Sequence, residues 1–122
     1  PVTAPAPLAP ATLAQLDALL ATVRTSHVAF TAATPATQRA VSNAAGSALG
    51  SDAWSAAQVA VAGLQSSRSA AIIALADIDR LYVDASTAGD AIERATAAKA
   101  EADRLVAEED AVIARLLGAL TG

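Results

Sequence analysis

The chain has 122 residues, a formal net charge of −4 and a pI of about 4.7, an acidic balance that argues against a nucleic-acid partner. It is 54% hydrophobic but only 2% aromatic, so its apolar content is mostly Ala, the best helix former, and no sustained period-two alternation marks a strand. The absence of Cys excludes disulfides, thiol catalysis and Cys-based metal sites.

Residues 1–10 carry four prolines, which forbid a helix and predict a semi-rigid extended linker. The remainder, 11–122, reads as one helical bundle domain. A first helix is expected from Thr12, with Gln15 completing a capping box, to about Ala32–Ala33; Leu13, Leu16, Leu20, Val23, His27 and Phe30 form its stripe. Thr34-Pro35 reads as a stop and a new start, giving a short second helix over Pro35–Leu49 that Gly50 ends. Two longer helices follow at about 52–88, opened by Ser51, and 90–120, opened by Asp90 with Glu93 three residues on. The predicted fold is all-α: an antiparallel bundle built on a long hairpin, with two shorter N-terminal helices.

The two long stripes carry charged intruders. Arg68 interrupts the first, Lys99 the second, and Asp79 and Glu109 lie near the stripe edges. If the helices fold back at Ala88-Gly89, residues whose numbers sum to about 177 lie opposite. That register sets Arg68 against Glu109 and Lys99 level with Asp79; it also brings Leu64 to Ile113, Val61 to Leu116 and Tyr82 to Ala95. A charge in an apolar seam costs several kcal/mol unless paired, so two matched pairs in one register predict two structural ion pairs.

The third segment carries more apolar surface than one seam uses. Val59, Ile73 and Leu81 fall on a side away from the fourth helix, to be covered by the N-terminal helices or by another molecule. Trp54, the sole Trp, is expected opposite Leu120 as an end plug. These four residues are the candidate interface.

No reactive constellation is present. His27 sits within an apolar stripe and has no acid or second His at four-residue spacing, so it reads as a half-buried structural residue. No Ser lies in a nucleophile elbow and no glycine pair builds a phosphate loop. Glu108, Glu109 and Asp110 lack the Glu-x-x-His spacing of di-iron bundles. No catalytic, cofactor or metal residue is therefore assigned.

A mean hydropathy of +0.43 raises a membrane reading, but the uncharged stretch Ala53–Ser67 is too short to span a bilayer. The missing Met implies a processed form or an excised piece. A Pro/Ala-rich spacer leading into Ala-rich helices resembles the mature part of a bacterial envelope protein, such as a lipoprotein anchored just upstream. The functional expectation is a non-enzymatic helical module that binds a protein partner or itself, periplasmic or tethered to the outer membrane through its N-terminus, with a cytoplasmic location as the alternative. Alternative functions are an accessory subunit of a larger assembly and a carrier holding an apolar small molecule between helices.

Overall fold

A computed structural model of the chain describes residues 10–85 and 92–121. Among these residues the fold is an all-α bundle, with four helices and no strand: α1 (Pro10–Ala44), α2 (Asp52–Ser67), α3 (Ser69–Ala85) and α4 (Ile92–Thr121). Helices α2 and α3 form one arm, so the bundle has three struts, with α1 packed along both halves of that arm and along α4. The 1–10 linker and the Ala88-Gly89 turn with its Asp90 cap lie outside the described residues, apart from Pro10.

The N-terminal strut corrects the sequence reading. Thr34-Pro35 does not divide two helices, because α1 runs unbroken for 35 residues with Pro35 inside it. A proline in a helix interior removes one backbone bond and costs roughly 3 kcal/mol. Packing on both sides of it outweighs that cost: Phe30 before the proline and Val41 and Ala44 beyond it enter one apolar cluster with Val61, Leu64 and Leu116. Two hydroxyls also bond back one turn, Thr34 to the Phe30 carbonyl at 2.8 Å and Thr37 to the Ala33 carbonyl at 3.0 Å. The helix ends earlier than Leu49, at Ala44, where Gly46 takes a positive φ of 79° that a side chain would resist. Ser51 then caps α2, accepting from the Trp54 N–H at 3.3 Å.

The second strut differs too. The expected single helix from 52 is interrupted at Arg68, whose φ and ψ are −101° and 0° and whose N–H turns to the Gln65 carbonyl three residues back. A bond from another strut accompanies the interruption: the Ser26 hydroxyl of α1 donates to the Ser67 carbonyl at 2.7 Å. The Ser67 hydroxyl meanwhile donates to the Leu64 carbonyl at 2.6 Å.

Two apolar clusters form the core. One gathers Leu16 and Val23 of α1, Ala71 and Ile78 of α3, and Ala102 and Val106 of α4. The other surrounds Phe30, Leu64 and Ile113. Ala57, Ala71, Ala95 and Ala102 are fully buried, so the struts approach closely where side chains are smallest.

Candidate functional site

Between the two clusters, at the level of the Arg68 interruption, lies a layer of buried polar side chains. Ser26, Arg68 and Glu109 are buried and His27 is half-buried. Glu109 has no exposed surface, although a carboxylate there keeps its charge only with partners on hand. Its Oε1 lies 3.6 Å from Arg68 Nε, a charge contact longer than a hydrogen bond. Its Oε2 lies 2.8 Å from His27 Nδ1. A carboxylate only accepts, so His27 carries its hydrogen on Nδ1 and donates it. His27 Nε2 is 3.7 Å from Glu108, and a second carboxylate, Asp110, holds Arg68 through Nη1. The layer thus joins all three struts.

About three turns along the hairpin, Lys99 Nζ binds Asp79 at 2.9 Å and Asp103 at 3.0 Å, with the Tyr82 ring centre 5.8 Å away. Hydrogen bonds that Lys99 donates to these two carboxylates, to Asp79 above all, raise its pKa well above the ordinary lysine range. The structure brings together both charge pairs named from the sequence, Arg68 with Glu109 and Lys99 with Asp79.

The sequence reading missed the pairs that join α1 to α4. Arg24 binds Glu101, with Nη2 at 2.7 Å, and Arg94 binds Asp17; each pair is separated by 77 residues. Hydrogen bonding between Arg24 and Glu101 lowers the Glu101 pKa and raises that of Arg24. A signal was available. Asp17 and Arg24 stand seven apart, as do Arg94 and Glu101, with the order of signs reversed, which is what two parallel helices in one register require. The same parallel packing, at an offset about one turn longer, brings His27 to Glu108 and Glu109, partners that a search along its own helix does not reach.

Beside the layer, a groove of about 400 Å³ between α1 and α4 is walled by Phe30, Pro35 and Val112, with His27 and Glu108 at its polar side. Of the hydroxyls around His27, Ser26 donates to the Ser67 carbonyl and Thr34 to the Phe30 carbonyl, while Thr31 lines the groove beside the imidazole. Among the described residues, no three His, Asp or Glu side chains converge as a metal site.

The candidate interface divides. Val59 and Ile73 are 72% and 66% exposed, so α1 leaves their side of the arm open. Leu81 does not share that side: it is half-buried and packs on the first cluster, because eight residues beyond Ile73 the helix has turned toward α1. Trp54 is half-buried, with its Nε1 enclosed and unpaired. The arm Asp52–Val83 is long and apolar enough to cross a membrane by length and composition, yet only 28% of its most apolar window is buried in the bundle. No protein-family model, curated protein or solved structure matches the chain.

Proposed function

We propose that the chain is a non-enzymatic interaction module whose binding surface is the outward face of α2–α3. One observation carries this reading: the most apolar arm of the bundle leaves about half of its length exposed, with Val59 and Ile73 standing out from it. Between Asp52 and Asp77 its only charge is Arg68, and that side chain is buried against Glu109 and Asp110. The outward surface there is uncharged and centred on Val59 and Ile73. Such a surface favours a partner that removes it from water. The bond from His27 to the fully buried Glu109 supports a structural role for the imidazole. The Pro/Ala-rich residues 1–10 support placing the module at a bacterial cell envelope.

A photoreactive residue at Ser66, tested in cells that make the protein, checks the reading. Crosslinks to a discrete partner should form from position 66 and not from the exposed Ala114 of α4, and should vanish when Val59→Glu and Ile73→Glu are added. Equal crosslinking from both positions, or indifference to the two glutamates, would overturn it.

The groove between α1 and α4 favours a second reading, the carrier, since its volume suits a small ligand. Native mass spectrometry of the purified protein tests it: a retained small molecule that is lost in Phe30→Ala would support the carrier, and a bare chain would remove it.

A further inference from the structure

The outward face of α2–α3 has an internal symmetry that the fold itself does not use. We propose that this face takes a second copy of the chain, docked antiparallel and two-fold about Ser66; the proposal rests on the reading of that face as an interface and names its partner.

Asp52, Val59, Ser66, Ile73 and Arg80 follow one another at seven-residue steps, and every one is exposed. Seven-residue steps keep nearly the same side of a helix, so Asp52, Val59 and Ser66 make a line along α2 that Ile73 and Arg80 continue on exposed positions of α3. If a second arm runs the other way across it, residues whose numbers sum to about 132 lie opposite, as for any antiparallel helix pair. Val59 then meets the partner's Ile73, and Asp52 meets the partner's Arg80. The two-fold repeats both contacts, so two apolar pairs flank Ser66 and an opposite-charge pair closes each end. A parallel pairing would stack Asp52 on Asp52 and Arg80 on Arg80. Charge selects the antiparallel arrangement.

Arg80 has room for this role. It is 72% exposed and held by Asp77 of its own helix, and a guanidinium has five donors, enough for a second carboxylate. The interruption at Arg68 lies two residues from the centre of symmetry, so the breaks in the two arms fall at nearly the same level.

Gly63 gives independent support. It occupies the middle of α2, although glycine is the poorest helix former after proline. A Cβ added to it would meet nothing within 4 Å, so no contact inside the chain calls for glycine. In the two-fold register it lies against the partner's Ser69, where a missing side chain lets two backbones come close.

Analytical ultracentrifugation of the full chain, up to hundreds of micromolar, tests the proposal together with circular dichroism of each variant. The wild type should dimerise. Asp52→Arg or Arg80→Asp alone should weaken the dimer about tenfold at low salt, each replacing two attractive contacts with two repulsive ones, and the double exchange should recover most of the loss. Gly63→Leu should hold or raise the melting temperature while abolishing the dimer, a split that misfolding cannot imitate. A wild type that stays monomeric overturns the proposal, as does one that instead floats with phosphatidylcholine vesicles. A dimer that Ile73→Glu abolishes but the charge exchange leaves unchanged overturns the register and leaves the interface reading standing. A dimer indifferent to Ile73→Glu removes both.

Discussion

His27 donates its Nδ1 hydrogen to Glu109 at 2.8 Å, and the carboxylate that receives it has no surface exposed to water. This bond joins α1 to α4 at the level where α2 gives way to α3. It explains how an acid can stand in the centre of an Ala-rich bundle: Arg68 supplies the opposite charge from one side and His27 a directed hydrogen bond from the other. His27 meets Oε2, while Oε1 has only the charge contact with Arg68 at 3.6 Å.

The Arg68–Glu109 pair should show strong coupling. Breaking a buried pair costs about 3–5 kcal/mol, since the remaining charge is left without compensation. Asp110 still holds Arg68 when Glu109 is removed, whereas Glu109 has only His27 when Arg68 is removed. Arg68→Ala should therefore destabilise more than Glu109→Ala. Urea denaturation of both single variants and the double variant measures the coupling directly. A coupling indistinguishable from zero would show that the contact at 3.6 Å carries no energy.

His27 should matter to stability through its donor. Replacing it with Leu leaves a buried acceptor unmet and should cost about 1–3 kcal/mol. Replacement with Gln, whose amide also donates, should recover part of this. Equal losses in the two variants, read from denaturation midpoints at neutral pH, would argue that imidazole packing and not the hydrogen bond is what counts.

Pro35→Ala should stabilise the protein by about 1–3 kcal/mol, because it restores a backbone N–H within α1 and lifts the steric conflict of the ring with the preceding turn. Loss of the proline's constraint on the unfolded chain offsets a fraction of the gain. A fall in the melting temperature would mean that α1 requires the shape proline imposes.

Acid should weaken the link between α1 and α4. Arg24 holds the Glu101 pKa below its unfolded value, so the stabilisation is fully present above the ordinary carboxylate range and is lost as pH falls through the depressed value. Glu101→Gln lacks this dependence. The difference in denaturation midpoint between wild type and Glu101→Gln should be largest at neutral pH and shrink below about pH 4. It should stay small throughout, since Arg24 is largely exposed and solvent screens the pair. A difference that grows on acidification would contradict the assignment.

Composition and stripe periodicity by themselves determined that this chain is helical, since Ala-rich segments with apolar residues at three- and four-residue steps have no competing strand pattern. They also set the charges level along the antiparallel seam, because one turn fixes the register of both arms. The tertiary structure decided the rest. Whether a helix crosses Pro35 depends on packing by Val41 and Ala44 beyond it, which local propensity does not contain. The interruption of the second arm at Arg68 coincides with a bond from Ser26, more than forty residues earlier, to the Ser67 carbonyl, which no local pattern announces. The partners of His27 lie 81 and 82 residues away, at an offset set by the combined length of two turns and a whole arm. Local chemistry reads out the helices; which faces meet across α1 and α4 is fixed only when all three struts close around the same core.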